Sequence, residues 1–205
     1  MTYTARKEWE QHYAEGRGWR RLGERERQLL AEYAPAPEGG GRALDVGCGT
    51  GELAAHLAGV GYTVDAVDLT DRAISRAREE YAGVEGVRWL QLDIERDDPA
   101  PLHEKYDLVV MRLVYAFMTS RGRILHALGE RLSDSGALVI VTPMADNTPA
   151  ERRGIALDDD EITLAGAGWK TAERLDADGL AFLVLRGPCH SETGPWRSDR
   201  RPPTP

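Results

Sequence analysis

A chain of 205 residues, 41% apolar and 29% charged, is long enough to bury a core and reads as one globular domain. Its net charge of −8 argues against a nucleic-acid partner, which would need a basic footprint, and no apolar run reaches the length of a membrane span. Two cysteines, Cys48 and Cys189, make neither a disulfide framework nor a zinc site, and Met1 to Lys7 lack the apolar core of a signal peptide. The expectation is a cytoplasmic protein, monomer or homodimer, with no membrane or metal.

Residues 4–15 and 20–34 read as two helices. In the second, Leu22, Leu29, Leu30 and Tyr33 fall on one face. Arg17, Arg20, Arg21, Arg25 and Arg27 interleave with Glu15, Glu24, Glu26 and Glu32, which predicts a solvated face rather than a phosphate patch. The breakers from Pro35 to Gly41 mark a linker.

Leu44 to Leu57, LDVGCGTGELAAHL, runs from a buried strand through a glycine turn into a helix. Glycine lets a backbone turn tightly and leaves room for a ligand against its amides. The glycines are Gly47, Gly49 and Gly51, with Asp45 two residues before the first. A dinucleotide fingerprint, G-x-G-x-x-G, would need glycine where Glu52 stands, which counts against a nicotinamide-dependent reductase.

The next strand, Tyr62 to Leu69, delivers Asp68 at 21 residues after Gly47, where a second parallel strand brings a carboxylate to a ribose. A helix near 70–82 follows, then a strand from Val87 to Leu92 ending in Asp93 and Ile94. The fourth strand, Tyr106 to Met111, leads into Arg112, Leu113, Val114 and Tyr115. A helix near 119–132 carries Ile124, Leu125, Leu128 and Leu132 on one face, and the fifth strand is Gly136 to Pro143. Residues 145–157 read as a loop, and Asp158 to Glu161 as an acidic helix start. Two alternating segments, Gly168 to Leu175 and Leu180 to Leu185, flank a turn at Asp176 to Gly179 and predict a hairpin.

These elements predict an α/β fold: a doubly wound, Rossmann-like, seven-stranded, mostly parallel sheet with a terminal antiparallel hairpin and helices on both faces. Residues 1–38 form a helical lid and 39–187 the cofactor-binding domain. Residues 188–205 hold five of the eleven prolines and are expected to be a disordered tail.

The D-x-G-x-G-x-G pattern of Asp45 to Gly51 resembles motif I of the class I S-adenosylmethionine (SAM) methyltransferases. Asp68 and Asp93 stand where the family's next motifs stand. Leu132 to Gly136 is similar to its L-x-P-G-G turn with both central residues changed. The resemblance covers residues 40–187. It implies SAM as cofactor and a metal-independent transfer of its methyl group, by in-line displacement, to an O, N or S atom of a small molecule.

The glycine turn, including Cys48, would meet the methionine end of SAM, with Asp45 holding its amino group directly or through water. Asp68 would accept both ribose hydroxyls, with Leu69 beside it. Asp93 would face the adenine amine next to the Ile94 backbone. Arg112 has two readings, an anchor for the SAM carboxylate or an acidic substrate, or a salt bridge with Asp107 or another acid. Trp9 and Tyr13 resemble the W-x-x-x-Y helix that folds over SAM in small-molecule methyltransferases, which would turn His12 and Tyr13 toward cofactor or acceptor. His12 and Tyr115 are the candidate catalytic residues, with packing as the other reading of each.

No (D/N)-P-P-(Y/F/W) follows strand four, unlike the nucleic-acid amino-methyltransferases. The alternatives are a catalytically silent SAM- or adenosine-binding module, or a methyltransferase acting on a protein or RNA. The stretch from Arg112 to Phe117 is also similar to actinobacterial methyltransferase domains fused to a Nudix domain. The chain has no Nudix signature, so none of that activity is implied.

Overall fold

A computed structural model describes residues 6–18 and 20–189. In chain order its helices are α1 (Arg6–Ala14), α2 (Glu24–Tyr33), α3 (Glu52–Gly59), α4 (Asp71–Glu80), α5 (Arg121–Gly129) and α6 (Asp159–Gly166). Its strands are β1 (Gly41–Val46), β2 (Tyr62–Asp68), β3 (Val87–Gln91), β4 (Tyr106–Arg112), β5 (Leu132–Pro143), β6 (Trp169–Ala177) and β7 (Leu180–Pro188).

The strands form one sheet in the order β3-β2-β1-β4-β5-β7-β6. The first five are parallel, and β7 and β6 add an antiparallel end. The Rossmann-like architecture expected from the sequence is the one that forms.

Strand periodicity splits the core into two layers. Leu44 and Val46 of β1 face one side, with Ile124, Leu125 and Leu128 of α5 and Ile162 of α6. Ala43 faces the other, with Leu29 and Leu30 of α2 and Leu53 and Leu57 of α3. Among the described residues, no helix is long and apolar enough to cross a membrane.

Several boundaries differ from the sequence reading. Helix α5 stops at Gly129, and Leu132 belongs to β5. Lys105 Nζ donates to the carbonyls of Glu130 and Leu132, at 2.9 and 3.1 Å, and so satisfies acceptors just beyond the helix end. Leu132 pairs with Tyr106, after which the register jumps and Leu108 faces Ala137, so Ser133 to Gly136 bulge out of the strand.

The stretch read as a loop at 145–157 contains two short 3-10 turns, Ala145–Asn147 and Ala150–Ile155, closed by a bridge between Met144 and Leu157. The hairpin turn narrows to Asp178 and Gly179, with φ of +53° and +78°. Both central residues in left-handed backbone make the tight turn that matches strand twist, for which Asp-Gly is well suited.

Strand β7 runs to Pro188, one residue past the boundary expected at 187, and the Cys189 amide donates to the Gly168 carbonyl at 2.8 Å. The rest of the expected tail, 190–205, lies outside the described residues.

Candidate active site

Strand β1 lies between β2 and β4, where the strand order changes direction. Chains leaving the carboxyl ends of such neighbours diverge, which opens a crevice there. The cleft at this point encloses about 1160 Å³, part of it open to solvent. Asp45, Gly47, Cys48 and Gly49 line it from β1 and its turn. Asp68 and Leu69 line it from β2, Asp93 and Ile94 from beyond β3, Arg112 from β4, and Tyr13 from α1. Of the cofactor candidates, Gly51 alone is not part of that lining.

The glycine turn is tied to β2. The amides of Gly47 and Cys48 both donate to the Val67 carbonyl, at 2.8 and 2.9 Å. The room left by the missing side chains is used by the protein itself. A Cβ on Gly47 would lie 2.6 Å from Val114 Cγ2, and one on Gly51 would lie 2.5 Å from the Trp89 ring. Gly51 therefore lets the turn pack closely against Trp89 of β3. Its φ of +91° independently requires glycine.

Asp45 is 1% exposed, yet it lines the cleft. Its Oδ2 is buried without a hydrogen-bond partner. Burial pushes its carboxyl up to about 7, with the Asp68 charge adding to the rise and Arg112 and the Ala54 amide opposing it. A buried carboxylate oxygen with no partner is costly. One at the wall of a cleft fits a donor arriving from outside.

Asp68 already has protein partners. Oδ1 accepts from the Thr70 amide and hydroxyl, at 2.9 and 2.8 Å, and Oδ2 accepts from the Gly49 amide at 3.1 Å. Its carboxyl is raised by burial, against these hydrogen bonds. A carboxylate offers about four acceptor positions. Three are filled here by the protein's own donors, which leaves one place on Oδ2. Asp93 is 8% exposed, and its Oδ1 accepts from the Glu95 amide at 3.1 Å.

Helix α1 covers the glycine turn. A Cβ on Gly49 would lie 3.0 Å from the Tyr13 hydroxyl. Trp9 stands edge-on to Phe117 at 5.1 Å, and both line the cleft. The helix is held by its polar side. Glu10 accepts from the amides of Asp71 and Arg72 at the start of α4, at 3.0 and 3.4 Å. Arg76 donates to the carbonyls of Tyr13 and Arg17, at 3.4 and 3.0 Å.

Neither catalytic candidate lines the cleft. His12 packs edge-on against Trp9 and Tyr13, at 5.5 and 5.2 Å, and burial lowers its pKa. Tyr115 is 3% exposed in the core, with the Arg121 guanidinium 5.6 Å from its ring centre. Burial pushes its hydroxyl up to about 12, with the Arg121 charge opposing the rise.

Arg112 takes the salt-bridge reading, with an acid the sequence reading did not single out. Its Nε and Nη2 donate to Glu26 at 2.7 and 3.0 Å, and Nη2 also donates to the Arg21 carbonyl at 3.0 Å. Glu26 is 2% exposed. It follows Leu22 by four residues and precedes Leu30 by four, so it sits on the apolar face of α2. That placement was the available signal for a buried, paired acid.

Comparison with known proteins adds a family. A family model described as a methyltransferase domain matches residues 17–181. An uncharacterized methyltransferase of Mycobacterium tuberculosis is 34% identical over 122 residues, which cover 60% of this chain and 59% of that protein. A malonyl-acyl-carrier-protein O-methyltransferase of Anoxybacillus flavithermus is 31% identical over 48% of this chain and 38% of that protein. The chain thus spans about three-fifths or less of the length of these curated relatives.

Among solved structures, the N-methyltransferase NodS of Bradyrhizobium japonicum, in complex with S-adenosyl-L-homocysteine, superposes with a TM-score of 0.69 at 25% identity. The match covers 89% of this chain and 97% of that one. A SAM-dependent methyltransferase of Aquifex aeolicus has the same fold, with a TM-score of 0.64 at 19% identity over 77% of this chain and 86% of that one.

Proposed function

The chain belongs to the methyltransferase domain family, and from that premise we propose that it moves the methyl group of SAM to a small-molecule acceptor. The observation that carries the reading is Asp45 Oδ2, a buried acceptor without a partner on the wall of the cleft. SAM brings an ammonium, a ribose diol and an adenine amine, three donor groups for a cleft lined by Asp45, Asp68 and Asp93. Leu69 and Ile94 offer apolar contact between them. NodS, whose structure resembles this one, was solved with the demethylated product of this cofactor.

When bound, SAM supplies a methyl group already activated by a positive sulfur. What remains for the protein is to hold, align and exclude water. Asp45 would accept from the ammonium. Asp68 Oδ2 would accept one ribose hydroxyl while keeping its bond to Gly49. Asp93 would accept from the adenine. Trp9 and Tyr13 would cover the cleft and keep water out. The carboxylates together favour a cationic ligand.

The net charge of −8 supports a small acceptor over a nucleic acid. The free thiol of Cys48 inside the cleft suits a reducing, cytoplasmic setting.

The test is titration calorimetry with SAM and its demethylated product, followed by an acceptor screen with labelled SAM. Saturable binding that weakens about tenfold or more in Asp45→Asn supports the cofactor site, since charge-assisted hydrogen bonds are worth about 1.5–3 kcal/mol. Binding without transfer across the screen would favour a silent module. Absence of binding would overturn the reading.

A further inference from the structure

A second cleft adjoins the first. Arg20, Leu113 and Phe117 line both. Its space of about 810 Å³ is partly open to solvent. Its walls are mainly apolar, with Phe117, Ile155 and Leu180 among them.

Among the described residues its charged groups are two guanidiniums, Arg20 and Arg152, and one carboxylate, Asp178. In a chain of net charge −8, that is a local excess of positive charge. Arg20 is partly committed, since its Nη1 donates to the Asp178 carbonyl at 2.8 Å. The guanidinium of Arg152, on the second 3-10 turn, makes no hydrogen bond or ion pair with any described residue. Arg152 is an exposed cation at the rim of an apolar cleft, without a partner for its guanidinium among the described residues.

The wall common to both clefts is strained. Leu113 follows the last residue of β4 and has φ +57°, a region that bulky residues rarely adopt. Its amide is held by the Val141 carbonyl at 2.7 Å. Strain of this kind persists where the surroundings enforce it, and it clusters at ligand sites.

We propose that the second cleft is the acceptor site and that it takes a small apolar molecule bearing a carboxylate, held at its charged end by Arg152. The assignment deepens the methyltransferase reading and rests on it. A guanidinium offers a planar fork that matches a carboxylate. The apolar walls take the hydrocarbon part. The single acid, Asp178, is outnumbered by the two cations, so an anion is preferred over a cation.

The experiment uses the full chain, saturated with S-adenosylhomocysteine so that the first cleft is filled. Three probes of equal length are titrated by calorimetry: octanoate, octan-1-ol and octylammonium. Octanoate is expected to bind saturably and the other two about tenfold more weakly or less, the scale of one charge-assisted hydrogen bond. In Arg152→Gln the octanoate affinity should fall to that of octan-1-ol, while octan-1-ol itself is unchanged. Ile155→Trp, which narrows the cleft, should weaken both. Retained S-adenosylhomocysteine affinity shows that each variant is folded.

Octylammonium binding as well as octanoate would overturn the proposal. So would an Arg152→Gln protein that keeps the preference for octanoate, or failure of all three probes while S-adenosylhomocysteine binds. If octanoate binds as described but S-adenosylhomocysteine does not, the anion site stands and the methyltransferase reading fails.

Discussion

Glu26 and Arg112, 86 residues apart in the chain, meet as a bidentate ion pair at 2.7 and 3.0 Å. One side chain is 3% exposed and the other 12%. The pair fastens α2 to the carboxyl end of β4, beside the cleft. Removing one partner of a buried pair typically costs about 3–5 kcal/mol, because the other is left buried and charged. Glu26→Gln should therefore lower the melting temperature by many degrees, and denaturant unfolding should show a loss of about 3 kcal/mol. A variant as stable as the parent would mean that the pair holds nothing together.

Asp45 gives a pH signature. Its folded pKa, pushed by burial up to about 7, exceeds the unfolded value of about 3.9. Between those values the folded state binds more protons. Stability from this group is therefore highest below about pH 4 and falls as pH rises to about 7, by at most roughly 4 kcal/mol. Asp45→Asn should remove that slope and raise stability at pH 8. Melting curves at pH 5 and pH 8, parent against variant, check the difference. Affinity for a ligand ammonium should run the other way, rising with pH to a plateau above about 7. A pH-independent affinity would separate Asp45 from the ammonium.

Asp68 joins cofactor binding to the fold. Asp68→Ala should weaken SAM binding by tenfold or more, the scale of one charge-assisted hydrogen bond. It should also lower stability, since the Gly49 amide and both Thr70 donors lose their acceptor. Thermal melts beside calorimetry distinguish the two effects. An unchanged affinity would remove Asp68 from the cofactor site.

Helix α1 is expected to act mainly on turnover. Deleting residues 1–18 takes Trp9 and Tyr13 from the cleft and leaves Asp45, Asp68 and Asp93 in place. Lost positioning and water exclusion should cut methyl transfer by about a hundredfold or more, with a smaller loss in SAM affinity. Transfer at the parent rate, on whichever acceptor the screen identifies, would reduce α1 to packing.

The parallel strands and the position of the cleft were legible because strand periodicity, glycine spacing and strand-end acids are local signals. Asp45, Asp68 and Asp93 reach one cleft because topology gathers the ends of β1, β2 and β3, and that gathering follows from the order of elements alone. The misread features depend on contacts between distant segments. Glu26 looked solvated because its partner is on β4. The packing of Gly51 against Trp89 was hidden because nothing local announces it. His12 lies one residue from Tyr13, yet only Tyr13 reaches the cleft, a distinction set by helix rotation against α4. The bulge at Ser133 to Gly136 is equally silent, because a register jump shows only when both strands are paired.

The hold of Glu10 on the amides of Asp71 and Arg72 makes those two amides a reporter. Whenever α1 swings away, both lose their acceptor and meet water, while the amides deeper in α4 keep their helical bonds. Their hydrogen-exchange rates should therefore track how often the cover opens, separately from global unfolding. A ligand that fastens α1 down should slow exchange at these two positions more than elsewhere in α4. Site-resolved exchange thus offers a count of openings that requires no acceptor and no turnover.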